Sequence, residues 1–231
     1  MENFYLFHVP LFYYFFLLAL IMGRIPVVGR FFKIINTAVH ELGHTIMSLL
    51  LSGKVQKIEL LSNSEGVTVS QTSHPFKSFL VSLAGYPFAS VVSYLSFWVF
   101  AKGFYQELII GFMAIFLIML IFWIRNWYGL FWVLLFAGLN FALLYFYKEQ
   151  PIVSIIALFY TVILFTESLF SSFYVSYRSI STPKDAGDCT NLKNASHIPA
   201  VFWGILFALF SLFVTYRIVM NFTAFFVIQV N

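Results

Sequence analysis

Long apolar runs, each separated from the next by a few polar residues, dominate this chain. A helix needs about 20 residues to cross a bilayer, so runs of this length predict membrane helices. We predict helices near residues 4–22, 33–52, 77–101, 105–124, 127–147, 152–176 and 199–226. The pattern therefore predicts an all-α polytopic membrane protein with about six to seven transmembrane helices, folded as a single domain over residues 1–231.

Between the second and third runs the pattern changes to alternation of polar and apolar residues. Residues 54–60 and 66–71 alternate in this way, which is typical of short strands, and the intervening Ser62-Asn63-Ser64-Glu65-Gly66 has turn chemistry. A short β-hairpin is therefore predicted directly after the second helix. Its edge would accept an extended peptide as an added strand. A hairpin that only connects two helices is an equally good interpretation.

Composition agrees with a lipid environment. The chain is 61% hydrophobic and only 10% charged, and its mean hydropathy is +0.90. The net charge of +4 is small and scattered, so no nucleic-acid partner is expected and the lipid bilayer is the main surrounding medium. The short basic segment 23–33 favours a cytoplasmic connection. The single cysteine excludes an internal disulfide, and nothing in the sequence indicates the oligomeric state.

The second apolar run contains ionisable residues, which are rare in membrane helices because a buried charge is costly unless it is paired or bound to metal. In the motif His-Glu-Leu-Gly-His over residues 40–44, His40 and His44 stand at i and i+4, on one face of a helix. Two histidines so placed can bind zinc, and Glu41 can reach a water on that ion. The alternative is an interior histidine pair with Glu41 as its counter-ion.

The other histidines are scattered singly, which excludes a membrane desaturase, an enzyme class that needs several histidine-rich boxes. A zinc site with two histidines needs a third protein ligand. The chain has only two aspartates, Asp185 and Asp188, and both lie in the polar segment 181–192. Either this segment supplies the ligand, or it is a polar loop with turn-forming aspartates. Glu167, inside an apolar run, is a functional candidate, although we favour a structural acid. The remaining histidines are His8, His74 and His197.

Taken together, these segments resemble the site-2 protease family of intramembrane zinc metalloproteases, in particular its small bacterial-type branch. The resemblance covers most of the chain and rests on residues 40–44, on Ala-Gly-Tyr-Pro-Phe-Ala-Ser at 84–90, and on 187–192 followed by Ile-Pro-Ala at 198–200. The spacing from aspartate to proline selects Asp188 over Asp185. The better-known form of the family carries its late aspartate in a Leu-Asp-Gly or Asn-Pro-Asp-Gly turn, from which this chain departs.

The resemblance implies a protease that hydrolyses peptide bonds of membrane-embedded or membrane-proximal substrates, as in regulated intramembrane proteolysis. It implies Zn²⁺ held by His40, His44 and Asp188, with Glu41 activating a zinc-bound water. It also implies a multi-pass protein of the bacterial inner membrane. Two other classes stay open: a catalytically inactive relative that acts as a binding or regulatory module, and a transporter that uses Glu167 and the histidine pair as a proton relay.

The predicted topology leaves one question open. In a helix that starts near residue 33, His40 and His44 would lie roughly 10 and 16 Å along the axis, near the middle of the bilayer. Five spans separate segment 23–33 from segment 177–198, which predicts that the two lie on opposite sides. Either Asp188 reaches the histidines from the far side, or one predicted segment does not cross.

Overall fold

The protein is a helical bundle with one substantial β-hairpin. The computed structural model describes residues 5–6, 9–22, 25, 27–148 and 150–225. The helices are α1 (Leu11–Met22), α2 (Val28–Leu50), α3 (Pro75–Ala101), α4 (Tyr105–Phe122), α5 (Trp127–Tyr147), α6 (Pro151–Ser181), α7 (Asp188–Ser196) and α8 (Ala200–Asn221). The strands are β1 (Tyr5–Leu6), β2 (Val9–Pro10), β3 (Lys54–Leu60) and β4 (Gly66–Gln71), and a 3-10 turn spans Thr223–Phe225.

Five of the described helices, α3, α4, α5, α6 and α8, are long and apolar enough to cross a membrane. α1 is apolar but shorter, with 12 described residues, and α2 carries the ionisable motif. The predicted class, a polytopic helical membrane protein with a hairpin after the motif-bearing helix, is confirmed. The predicted strand bounds, 54–60 and 66–71, are confirmed as well.

The second helix begins earlier than predicted. α2 starts at Val28, so Arg30 and Lys33 lie in its first turns rather than in a basic connection. Arginine and lysine are good helix formers. The histidines of the motif therefore lie about 18 and 24 Å along the axis rather than 10 and 16 Å. His8, together with residues 23, 24 and 26 of the basic segment, lies outside the described residues.

α2 runs antiparallel to α3 at close range. A Cβ atom built on Gly43 would lie 2.7 Å from the Cβ of Phe88 and 3.3 Å from the carbonyl oxygen of Ala84. Only a glycine at this point of α2 allows the two helices to approach so closely. Ala84 and Phe88, both in the segment 84–90 singled out from the sequence, form the α3 side of this contact.

α2 runs parallel to α6. Lys33 Nζ lies 4.0 Å from Glu167 Oε2, and Asn36 Nδ2 donates to Ser171 Oγ over 3.4 Å one turn further along both helices. The C-terminal end of α6 therefore lies beside the C-terminal half of α2. The connection from α6 to α7 reaches the histidines from the end of the bundle opposite to the start of α2, which is the first of the two arrangements considered above.

α6 ends later than predicted, at Ser181, and residues 188–196 of the predicted polar segment form the short helix α7. Arg178 in the last turn of α6 braces the connection, because its guanidinium donates to the carboxylate of Asp185 over 2.6 Å and to the Asp185 carbonyl. This contact joins the end of α6 to the segment that precedes α7.

The hairpin folds back along α2. Its turn lies beside the middle of the helix, where Thr37 Oγ1 donates to the carbonyl of Ser64 over 2.8 Å. The outer edge of β3 is closed by the connection between α4 and α5. The N–H of Ile58 donates to the carbonyl of Trp123 over 2.7 Å, and the Ile58 carbonyl accepts from the N–H of Arg125 over 3.1 Å. The side-chain amide of Asn126 bonds both backbone groups of Leu60.

Candidate metal centre

Three potential ligand atoms converge where α2, α3 and α7 meet. The Nε2 atoms of His40 and His44 lie 3.0 Å apart, and each lies 3.2 Å from Oδ2 of Asp188. Within the described part of the chain, no second group of three His, Cys, Asp or Glu side chains is arranged to hold a metal ion. The structure thus brings together the three residues that the sequence singled out as ligands.

The spacing of these atoms fits a zinc ion. Ligands about 2.0–2.1 Å from a tetrahedral zinc lie roughly 3.3 Å from one another, close to the 3.0–3.2 Å between the nitrogen and oxygen atoms here. Two imidazoles and one carboxylate also match the three-ligand set of catalytic zinc sites, which keep a fourth position open. The donor chemistry and the geometry therefore agree.

The His44 ring is held in the tautomer that metal binding through Nε2 requires. Its Nδ1–H donates to the backbone carbonyl of Val81 on α3 over 2.7 Å, which leaves the lone pair of Nε2 free to bind a cation. The ring of His40 packs against Tyr86, with ring centroids 4.5 Å apart and planes at 75°. Tyr86 in turn lies against Phe207 of α8. α3 and α8 therefore fix the orientation of both imidazoles.

Gly85 forms the α3 wall of the site. A Cβ atom built on it would lie 2.5 Å from Cε1 of His40 and 2.6 Å from the Nε2 atoms of both histidines. Any larger residue would occupy the space of the imidazoles themselves. The sequence singled out this glycine only as part of the segment 84–90 on which the family resemblance rests, because nothing local in the sequence indicates which residue of α3 faces the motif.

Asp188 is the first residue of α7. The preceding Gly187 has a φ of 52°, a left-handed conformation that favours glycine. Although burial raises the pKa of the Asp188 carboxyl, the adjacent His44 and His40 hold it below its ordinary value. Asp185 instead is 88% exposed at its side chain and pairs with Arg178, so it braces the connection.

The side chain of Glu41 lies between the body of α2 and the hairpin. Its side chain is buried, with 4% exposure, and its Oε2 accepts a 2.7 Å hydrogen bond from the hydroxyl of Thr68 on β4. A Cβ atom on Gly66 would lie 2.5 Å from the other oxygen, Oε1. β4 therefore orients Glu41 through Thr68 and leaves space for it at Gly66. Sequence reasoning missed Thr68, whose only signal was its polar character within an alternating strand.

The other candidates of the sequence have local partners away from this site. Glu167 forms the ion pair with Lys33 between α2 and α6, which supports its interpretation as a structural acid. His74 caps α3 by accepting from the N–H of Phe76 over 3.1 Å, and His197 ends α7 in a left-handed conformation. Burial raises the pKa of the Cys189 thiol to about 12, so this cysteine stays protonated and is a poor nucleophile.

The fold and the site define a class: a multi-pass membrane protein with a buried His-Glu-x-x-His helix and a late aspartate beside it. Comparison with known protein families agrees, because residues 13–218 match the family described as Peptidase M50B-like. The match covers most of the chain, and the protein belongs to this family, which is the site-2 protease family of the resemblance. No curated protein and no solved structure matches the chain.

Proposed function

We propose that this protein is an intramembrane zinc metalloprotease that hydrolyses peptide bonds of membrane-embedded or membrane-proximal proteins and peptides. The observation that carries the proposal is the convergence of the ligand atoms of His40, His44 and Asp188, which lie within 3.2 Å of one another. Glu41 directly follows His40 on α2. A zinc ion held by these three residues would lower the pKa of a bound water and polarise the scissile carbonyl. In this proposal the protein works in the bacterial inner membrane.

Glu41 would act as the general base and then as the general acid. Thr68 occupies Oε2, so Oε1 is the oxygen available to take the proton of the attacking water and return it to the leaving amine. The hydrogen bond from Thr68 fixes the carboxylate direction before the substrate arrives, which lowers the reorganisation needed during reaction. The Val81 carbonyl does the same for His44.

The free edge of β4 is the candidate substrate-binding element. Ile58 lies opposite Thr68, and Leu60 opposite Gly66. Ile58 and Leu60 direct their backbone groups away from β4, so in an antiparallel pair those of Thr68 and Gly66 point away from β3. No described residue pairs with this outer edge.

An extended peptide added at the free edge would lie beside Glu41, since the Thr68 side chain contacts its carboxylate. Proteolysis requires this extended form, because a helical substrate keeps its carbonyls within its own hydrogen bonds. The hairpin would therefore act as more than a connection between α2 and α3.

Cleavage of a membrane-tethered reporter by Glu41→Gln and wild-type protein tests the proposal. Removal of a general base typically costs 10²–10⁴-fold in rate, while the zinc content should stay the same because Glu41 is not a ligand. Glu65→Gln is the matched control, since Glu65 is an exposed residue of the hairpin turn. Stoichiometric zinc without any Glu41-dependent cleavage would favour the alternative, an inactive binding module. Proton-coupled transport that persists after chelation would support the transporter instead.

A further inference from the structure

The phenol ring of Tyr86 lies directly beside the candidate metal centre. Tyr86 follows Gly85, the residue that forms the α3 wall of the site. Its ring packs edge to face against the ring of His40, with centroids 4.5 Å apart. On another side the ring contacts Phe207 of α8, with centroids 4.8 Å apart. These two contacts hold the phenol next to one of the candidate metal ligands.

The Tyr86 side chain leans towards the end of α3 that faces α7. Long side chains in a helix lean towards its N-terminus, which for α3 is the end at Pro75. In this direction the ring packs against the apolar cluster that contains Cys189, the residue after Asp188. The carboxylates of Asp188 and Glu41 both act electrostatically on the phenol. The hydroxyl of Tyr86 therefore lies in the field of both carboxylates of the site.

The Tyr86 hydroxyl has no hydrogen-bond partner among the residues that the structure describes. The side chain is half-buried, and its oxygen is absent from the described polar atoms that are both buried and unpartnered. The hydroxyl is thus accessible to a molecule that enters the site. Tyr94, about two turns further along α3, instead accepts a 2.7 Å hydrogen bond from Asn221. A phenol that donates to no protein group is available to donate to a substrate.

Tyr86 and Glu41 approach the metal centre from different sides. The carboxylate of Glu41 faces the hairpin, where Thr68 holds it, whereas Tyr86 lies between His40 and α8. Peptide hydrolysis needs both a group that takes a proton from the attacking water and a donor to the carbonyl oxygen, which gains negative charge. The site offers one such group on each side.

We propose that Tyr86 is a further catalytic residue, whose hydroxyl donates a hydrogen bond to the carbonyl oxygen of the scissile peptide bond. This inference rests on the proposed function. As the water oxygen bonds to the carbonyl carbon, the π electron pair of the carbonyl moves to its oxygen. Glu41 takes the water proton and passes it to the amide nitrogen as the C–N bond breaks. Tyr86 keeps its own proton throughout and stabilises the negative oxygen.

Tyr86→Phe tests the inference, because it removes the hydroxyl and keeps the ring that packs against His40. Loss of one donor to such an oxyanion typically costs about 10²–10³-fold in kcat, so we expect a fall of about 100-fold or more. KM should stay the same, because the hydrogen bond strengthens only as the charge develops. Zinc content should also stay the same. Tyr94→Phe is the matched control, since it removes a phenol hydroxyl from the same helix away from the metal centre.

Binding of a phosphinic peptide gives a readout that does not depend on turnover. Its tetrahedral phosphinate mimics the attacked carbonyl, and such analogues gain affinity from contacts made in the transition state. The peptide would carry the sequence at which wild-type protein cleaves the reporter. Tyr86→Phe should weaken its binding at least about tenfold, whereas Tyr94→Phe should not. Binding of the uncleaved peptide, measured with Glu41→Gln also present, should not depend on the Tyr86 hydroxyl.

The outcomes separate this inference from the proposed function. Equal kcat in wild-type protein and Tyr86→Phe, with cleavage that still depends on Glu41, would overturn the inference and leave the function intact. A lower zinc content in Tyr86→Phe would also overturn it, because the hydroxyl would then support the metal ligands. An equal loss of binding for the phosphinic and the uncleaved peptide would count against it in the same way. Wild-type protein without Glu41-dependent cleavage would overturn the function, and this inference with it.

Discussion

A single methyl group added at Gly85 is expected to abolish metal binding. The new Cβ of Gly85→Ala would lie 2.5–2.6 Å from atoms of both imidazoles. Because favourable non-bonded contacts are about 3.5–4.0 Å, the rings of His40 and His44 would have to retreat by roughly 1 Å. Metal–ligand distances vary by only about 0.2 Å between sites. Both nitrogen ligands would therefore move out of binding geometry together.

The loss should be large and should not come from unfolding. Disturbing one group that supports a metal ligand typically costs about 10–100-fold in affinity, so displacing two ligands should cost at least about 100-fold. Alanine is favoured over glycine inside a helix by about 1 kcal/mol. α3 itself should therefore become more stable in the variant while the site is lost.

Zinc content per chain, measured after equilibration against buffered zinc, provides the assay, and thermal unfolding checks the fold. The control is Gly138→Ala, whose Cβ would meet no atom within 4 Å. Equal zinc affinity in the two alanine variants would refute the reasoning, because the imidazoles could then not occupy the positions described at Gly85.

Two further substitutions test the remaining contacts of the site. Thr68→Val removes the hydroxyl that donates to Glu41. Because a hydrogen bond to a charged group is worth about 1.5–3 kcal/mol, the cleavage rate should fall about tenfold or more. The zinc content should not change. Thr68→Ser should restore the rate, and an unaffected valine variant would contradict the positioning role. Asp188→Asn should lower the zinc content, whereas Asp185→Asn should keep it, because Asp185 pairs with Arg178; equal zinc contents would contradict this assignment.

Local sequence patterns predicted the parts of the structure that depend on local spacing. The separation of His40 and His44 by four residues places both on one helix face wherever the helix begins, so the 3.0 Å contact between their nitrogens did not depend on the wrong start at residue 33. The strand bounds followed from alternation and turn chemistry in the same way. Asp188 was selected over Asp185 by resemblance, since both carry the same chemistry in one polar segment.

Local sequence patterns could not predict contacts between residues far apart in the chain. The bond from Thr68 to Glu41 depends on how the hairpin folds back along α2. The closure of β3 depends on residues of the connection between α4 and α5. The end of α6 was predicted too early because its last turns, up to Arg178 and Ser181, are polar. A hydrophobicity pattern detects only the apolar part of a helix. α6 continues beyond its apolar part, and its last turn supports the segment that follows.

The closed edge of β3 has a consequence for how a peptide could move along the hairpin. Only β4 is left to receive it, and the outward N–H and C=O groups of that strand recur at every second residue, at Gly66 and Thr68. A one-residue slip would turn every peptide side chain to the opposite face. Ragged product ends would therefore differ by even numbers of residues, so that the mass spectrum of a digest would show a ladder with dipeptide steps.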